Sequence, residues 1–279
     1  MKVLLVIDSL GSGGAQRLLV YLAQGLLDNE NNVDVFTYNI NYDFFKGDIE
    51  NLGIKIYSPN EQTNLIKPLS IVSSLRSTLK YDYDSVISLM HVPSVYSALS
   101  CIGFFKTKLI VCELSSSNAP IPFYKRFLFY LASILSHKVV ANSFTEKINI
   151  QKRTGLSRKV EAIWNGYEIN KFQFKLKKND NKINNLLIVG RVAYPKNGVN
   201  LLKAIKLFHD KNGWSPKFIW AGRKDIDKRS ILMQEKMNYF LDNNPVIKSY
   251  IDFVGEVKNI NELFHTCDAL IHPSIFEGL

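Results

Sequence analysis

The stretch Val3-Leu4-Leu5-Val6-Ile7-Asp8, followed by Gly11-Ser12-Gly13-Gly14-Ala15-Gln16-Arg17, decides the fold. The apolar run is the length of one buried strand. It is too short for the core of a signal peptide, and Asp8 and a glycine loop follow at once. After the glycines, Ala15, Leu18, Leu19, Leu22 and Leu26 recur at helical spacing and make one apolar face. Strand, glycine turn and helix open a βαβ unit, the building block of a parallel sheet. The alternation continues, with strands expected at Val33–Tyr38, Ile54–Tyr57, Ser85–Leu89, Leu109–Cys112, Lys138–Asn142 and Val160–Trp164. Residues 173–185 are polar and aperiodic and read as a linker. Beyond them strands are expected at Leu186–Val189, Lys217–Ala221, Tyr250–Val254 and Ala269–His272. Helices are expected at Gly198–Phe208, Asp227–Leu241 and Ile260–Thr266. The expectation is an α/β protein of two Rossmann-like, doubly wound parallel-sheet domains, 1–172 and 186–279. The second breaks off after a strand, which leaves it incomplete with apolar faces uncovered.

Composition narrows the function classes. Hydrophobic residues make up 46% and charged residues 22% of the 279, the balance of a soluble globular protein. No apolar stretch reaches the ~18 residues that read as a membrane span. Cys101, Cys112 and Cys267 lie far apart without CxxC spacing, which argues against a disulfide framework or a zinc site. A cytoplasmic protein is expected. The net charge of +10 is either a solubility charge or the mark of an anionic partner. Nucleic acid is not expected, because no recognition motif accompanies the charge; diphosphate ligands or anionic lipid head groups fit better.

Three motifs carry chemistry. In the first, the helix after Gly13-Gly14 presents free N–H groups to an anion. A dinucleotide fingerprint is the rival reading, but Gln16 stands where its third glycine belongs. No acidic residue closes the second strand either, so NAD and FAD are not expected. The second is Val189-Gly190-Arg191-Val192-Ala193-Tyr194-Pro195-Lys196-Asn197-Gly198, where two cations lie on the loop between a strand and a helix. Solvated surface charges are the bland reading. A place at the carboxyl end of a parallel strand favours a diphosphate clamp of Arg191 and Lys196. The third is His272-Pro273-Ser274-Ile275-Phe276-Glu277-Gly278, where the Glu277 carboxylate can accept hydrogen bonds from vicinal sugar hydroxyls or simply cap a helix.

Taken in order, these segments resemble glycosyltransferase family 4, retaining enzymes of the GT-B fold. Gly13-Gly14-Ala15-Gln16-Arg17 is similar to that family's GGAER. Trp164-Asn165-Gly166-Tyr167-Glu168-Ile169-Asn170-Lys171-Phe172 is similar to its N-G-V-D-x-x-x-F. Gly190-Arg191 with Lys196-Asn197-Gly198 is similar to G-R-x-x-x-x-K-G. Phe253-Val254-Gly255 and Pro273-Ser274-Ile275-Phe276-Glu277-Gly278 are similar to F-x-G and P-S-x-x-E-G. The resemblance implies a nucleotide diphosphate sugar, UDP in the first instance, as co-substrate, with no cofactor and no metal. It implies that Arg191 and Lys196 neutralise the leaving diphosphate, that N–H groups of Gly13 and Gly14 approach it, and that Glu277 orients the donor sugar. The family's E-x7-E would begin at Glu277 and run past Leu279, so the 279-residue chain alone is expected to be inactive.

One departure stands out. Many relatives carry a His after the strand at 109–112. Here Val111-Cys112-Glu113-Leu114-Ser115 looks like a subgroup with S-E-R-N, with Leu114 in place of Arg. Glu113 is a candidate for acceptor or donor-sugar contact, or a buried brace of its loop. His91, after the strand at 85–89, is read as pointing towards the site or as structural. The basic, aromatic segment Pro122–Lys138 reads first as a core-packed helix and second as an interfacial helix on anionic membrane. The second reading suits a glycan or polyprenyl-diphosphate-linked acceptor in surface-polysaccharide (capsule, O-antigen) synthesis. A sugar-nucleotide epimerase of the same fold and a non-catalytic donor-binding subunit are the alternatives left open.

Overall fold

The computed structural model describes residues 1–59, 67–114, 122–166 and 183–275. They fall into two compact units, residues up to 166 in the first and from 183 in the second. The linker expected at 173–185 lies mostly outside the described residues.

The first unit runs β1 (Lys2–Ile7), α1 (Gly14–Asp28), β2 (Asn32–Thr37), α2 (Lys46–Asn51), β3 (Lys55–Tyr57), α3 (Lys67–Leu79), β4 (Ser85–Leu89), α4 (His91–Cys101), β5 (Lys108–Glu113), α5 (Phe123–Leu135), β6 (Lys138–Ala141), α6 (Phe144–Thr154) and β7 (Val160–Ala162). Its described strands form one parallel sheet in the order β3-β2-β1-β4-β5-β6-β7. Strand side chains alternate between two cores. Leu4, Val6, Val86 and Val111 pack with Leu75, Ala98 and Phe129 on one face. Val3, Leu5, Ile7 and Val35 pack with Leu19 and Ala23 of α1 on the other. Local signals set the helix ends. The Ser143 hydroxyl accepts the Glu146 N–H (3.2 Å) to start α6, and Gly155 in the left-handed conformation (φ +71°) ends it.

Helix α5 departs from the first reading of its segment. Phe129, Ala132 and Ser133 are buried against the unit. Phe123, Tyr124, Phe127, Leu128, Leu131, Ile134 and Leu135 are exposed, and at helical spacing they share the opposite arc.

The second unit runs β8 (Asn185–Val189), a 3₁₀ turn (Tyr194–Lys196), α7 (Gly198–Asn212), β9 (Lys217–Ala221), α8 (Lys228–Asp242), α9 (Pro245–Lys248), β10 (Ile251–Gly255), α10 (Ile260–Thr266) and β11 (Ala269–Leu270). Its described strands are parallel in the order β10-β9-β8-β11. Helix α8 starts one residue later than expected because Asp227 is its cap, its carboxylate accepting the N–H groups of Arg229 and Ser230. Helix α7 outruns its expected end and stops at left-handed Gly213. β11 is two residues shorter than expected. Phe253, Val254 and Leu270 are exposed, so apolar strand residues are uncovered in this unit.

Strands β8, β9 and β10 meet a common device at their carboxyl ends, a glycine of positive φ at Gly190, Gly222 and Gly255. Gly190 and Gly222 lie backbone against backbone. A Cβ on Gly222 would sit 2.0 Å from the Gly190 carbonyl oxygen, which already accepts the Trp220 indole N–H at 2.8 Å. Gly222→Ala is therefore expected to destabilise the second unit by at least the ~1–3 kcal/mol of a forced backbone conformation. Gly25→Ala, inside α1 with nothing within 4 Å, is expected to stabilise by up to about 1 kcal/mol. Thermal and urea melts followed by circular dichroism check both signs.

Candidate active site

Each sheet reverses its strand order once, between β1 and β4 in the first unit and between β8 and β11 in the second. Ligands of open α/β sheets bind at the carboxyl ends of strands flanking such a reversal. The sequence motifs fall there in both units.

In the first unit β1 leads into the glycine turn. Gly13 is the residue before α1, extended at φ −157°, and Gly14 is the first helical residue. Neither needs glycine's conformational freedom. A Cβ on Gly14 would meet nothing within 4 Å, whereas one on Gly13 would run into the folded-back Gln16 side-chain oxygen. The N-cap residue of α1 is a glycine with no side chain to cap the helix, and the first turn holds no acidic residue. The turn is braced from beneath. The Gln16 side-chain amide donates to Asp8 Oδ1 at 3.1 Å, and the Ser9 N–H donates to the same oxygen at 2.8 Å. Burial pushes the Asp8 carboxyl up, against those two hydrogen bonds, which hold it down.

Across the reversal, β4 leads into His91. The strand expected to end at Cys112 runs on to Glu113, so Glu113 belongs to the sheet and points to the same face as Val111. Leu114 points to the other face and packs in the α1-side core. Glu113 is 1% exposed, and its Oε2 lies 2.7 Å from His91 Nε2. His91 is the first residue of α4 and is turned inward, its ring 4.5 Å from that of Phe129. Sequence reasoning named both residues without pairing them. Met90, just before His91, has φ +75° and ψ 167°, a region almost confined to glycine. Its backbone is held by the Met90 N–H to the Cys112 carbonyl (3.0 Å) and by the Ser94 hydroxyl to its own carbonyl (2.7 Å).

In the second unit Arg191 follows Gly190 and is half-exposed, with Nη1 2.6 Å from Asp225 Oδ2. Lys196 closes the 3₁₀ turn. Its side chain folds back over Gly190, where a Cβ would fall 2.7 Å from Lys196 Cε. Arg191 and Lys196 therefore flank one glycine. The Ile275 N–H donates to the Pro195 carbonyl (2.8 Å), joining the loops on either side of the reversal. Glu277 lies outside the described residues. A separate cavity of about 430 Å³ opens between α7 and α8, lined by Tyr194, Asn200, Arg229, Met233 and Lys236, and does not include Arg191 or Lys196.

Sequence reasoning missed Gly222 and Asp225. It also passed over two Asp-x-Asp triplets. Asp82-Tyr83-Asp84 lies at the start of β4, on the opposite edge of the sheet, where Asp84 Oδ2 accepts the Lys2 N–H. In Asp225-Ile226-Asp227 the first carboxylate takes Arg191 and the second caps α8. Among the described residues no cluster of three or more His, Cys, Asp or Glu is placed to hold a metal.

Comparison with known proteins decides the family. The model of Glycosyltransferase Family 4 matches residues 12–171, and that of Glycosyl transferases group 1 matches residues 183–279. The chain belongs to glycosyltransferase family 4. This glycosyltransferase is 25% identical over 286 residues to the Campylobacter jejuni GalNAc-alpha-(1->4)-GalNAc-alpha-(1->3)-diNAcBac-PP-undecaprenol alpha-1,4-N-acetyl-D-galactosaminyltransferase. That match covers all of this chain and 74% of the relative. It is 24% identical to the amylovoran biosynthesis glycosyltransferase AmsD of Erwinia amylovora, again over the whole chain and 76% of the relative. Anabaena HepE, solved in complex with UDP and glucose, superposes with a TM-score of 0.79 at 18% identity. The superposition covers 98% of this chain and 74% of that one, a likeness of fold. The transferase has the GT-B type of architecture, a parallel α/β sheet in each unit.

The Glu113 carboxylate faces both the buried His91 imidazole and Arg153, whose Nη2 lies 3.7 Å from the same oxygen. Glu113→Ala is expected to destabilise the first unit by about 1–3 kcal/mol, the cost of leaving a buried polar group unsatisfied. The isosteric Glu113→Gln, which keeps a hydrogen-bonding oxygen, should cost markedly less. Equilibrium unfolding of the two variants checks the order, and equal losses would mean that the pair contributes nothing specific.

Proposed function

We infer that this glycosyltransferase moves a sugar from a UDP-sugar to a glycan carried on polyprenyl diphosphate, as a step in bacterial surface-polysaccharide synthesis. The observation that carries the donor half is the pair of cations, Arg191 and Lys196, flanking Gly190 at the reversal of the second sheet. The bond from C1 of the sugar to the diphosphate oxygen breaks, and negative charge grows on that oxygen. Two fixed cations stabilise it most where it is greatest, in the transition state. The acceptor oxygen attacks C1 from the same face, its proton passes to the departing phosphate, and configuration is retained. Neither a paired-carboxylate device nor a resident metal enters these steps. Glu277 orients the sugar ring, and Glu113 with His91 lies at the reversal of the first sheet, where they serve the acceptor or sugar side.

The acceptor half is supported by α5 and by the names of the relatives. The Campylobacter jejuni protein is named for a PP-undecaprenol glycan and the Erwinia amylovora protein for amylovoran. No helix among the described residues is long and apolar enough to cross a membrane. The exposed arc of α5 joins Phe123, Tyr124 and Phe127 to Leu128, Leu131 and Leu135, with Lys125 beside it. Aromatic and aliphatic residues on one side with basic residues near by suit a helix lying in an anionic lipid interface.

Arg191→Ala is expected to lower sugar transfer from UDP-sugar by ~10²-fold or more while leaving the fold intact. A screen of UDP-, GDP- and ADP-sugars on a chain extended through the family's E-x7-E segment, with the variant alongside, checks it, and an unchanged rate would remove Arg191 from the mechanism. For the membrane half, the protein should float with vesicles containing phosphatidylglycerol, and Phe127→Asp with Leu131→Asp should abolish this. Flotation unaffected by both substitutions would place the lipid contact elsewhere.

A further inference from the structure

Asp225 has no role in the reading above, yet its side chain is the one Arg191 is bound to. The contact is a charge-assisted hydrogen bond, Nη1 to Oδ2 at 2.6 Å, between a half-exposed guanidinium and a largely buried carboxylate. The other carboxylate oxygen, Oδ1, accepts the Ile226 N–H at 3.0 Å, which fixes the orientation of the group. The two loops that carry these residues are stitched together. The Val192 N–H donates to the Arg223 carbonyl (2.8 Å), and the Asp225 N–H donates to the Val192 carbonyl (3.3 Å). Val192 and Lys224 form a parallel bridge. From α8, the Gln234 side-chain amide donates to both the Val192 carbonyl (2.9 Å) and the Asp225 carbonyl (2.8 Å). Val192 itself is buried. The base of Arg191 and the carboxylate that holds its tip are thus parts of one braced frame.

We propose that Asp225 is a positioning residue that holds the Arg191 guanidinium ready for the donor diphosphate. The proposal rests on the reading that Arg191 meets that diphosphate. An unanchored arginine on a loop has many rotamers to lose when it binds an anion. Anchoring one edge of the guanidinium beforehand removes most of that cost and leaves its other donors for the ligand. A carboxylate also opposes the binding of an anion by its charge. The geometry favours positioning, because one side-chain contact joins two segments already fixed to each other by backbone hydrogen bonds and by Gln234.

UDP binding measured by titration calorimetry on the protein, Asp225→Asn, Arg191→Ala and the double variant tests this. Asp225→Asn is expected to weaken UDP binding about tenfold, the size of one charge-assisted hydrogen bond, with its melting temperature unchanged. The double variant should bind no more weakly than Arg191→Ala alone, because Asp225 acts only through Arg191. Binding by Asp225→Asn that equals or exceeds that of the parent would overturn the proposal and make Asp225 a competitor of the diphosphate. Additive effects in the double variant would overturn it too, since Asp225 would then act independently of Arg191. If Arg191→Ala binds UDP as the parent does, it is the diphosphate reading that fails, and the positioning role falls with it. If Asp225→Asn melts lower than the parent, Asp225→Ser takes its place in the same cycle.

Discussion

A parallel sheet hands every strand's chain to a loop on the same edge, and right-handed crossovers then carry it to one face or the other. Where strand order runs on in one direction, neighbouring chains leave to the same face and cover each other's exits. At a reversal they leave to opposite faces, and the strand ends between them stay uncovered. This protein has such a reversal in each unit, at β1/β4 and at β8/β11. The candidate site residues among the described segments lie around those two openings. The glycine turn and the His91–Glu113 pair flank the first, and Arg191, Lys196 and the Ile275–Pro195 link flank the second.

The openings hold their shape because the sheets beneath are over-determined. Met90 sits at φ +75°, one residue before His91, and Asn197 at φ +57°, one residue after Lys196. Asparagine tolerates that conformation, whereas methionine is forced into its own at a cost of order 1–3 kcal/mol. What holds Met90 there is the β4–β5 ladder on one side and the first turn of α4 on the other. The strain fixes the direction in which His91 leaves the strand, inward to Glu113 and Phe129. In the second unit the same rigidity comes from absence of side chains. With Gly190 and Gly222 in backbone contact, the loops above β8 and β9 lie close enough to be bridged at Val192 and Lys224.

The architecture was legible because burial writes itself into short apolar runs. β4, β9 and α10 lie where alternation and helical spacing put them, the other expected strands and helices err by one or two strand residues or a helical turn, and α2, α3, α4, α6 and α9 had no expected bounds. The motif residues were legible as types at spacings. Their partners were not. Glu113 and His91 meet because β4 and β5 are neighbours in the sheet, which no local pattern states. Asp225 stands 34 positions from Arg191 and meets it through a loop-to-loop bridge. A carboxylate in such a loop has no periodicity, and it was passed over while the cation it serves was noticed. Gly222 was missed for a related reason: its necessity comes from a contact with Gly190 across two strands, not from a turn of its own.

Helix α5 shows where sequence reading must give two answers at once. Core-packed and interfacial were set against each other because an amphipathic helix normally offers its apolar face to one environment. This helix has an apolar residue on nearly every side. Phe129 and Ala132 are spent on the core beside His91, and a second arc from Phe123 to Leu135 remains in solvent. Exposing that much contiguous apolar surface is unfavourable in water, and a lipid interface or a partner protein relieves it. Lys125 near its start, and a chain with ten more positive than negative charges, are what the proposed anionic interface rests on. The buried side of the same helix touches the imidazole beside Glu113, so the exposed apolar arc and the polar pair at the first opening are separated by the thickness of one helix.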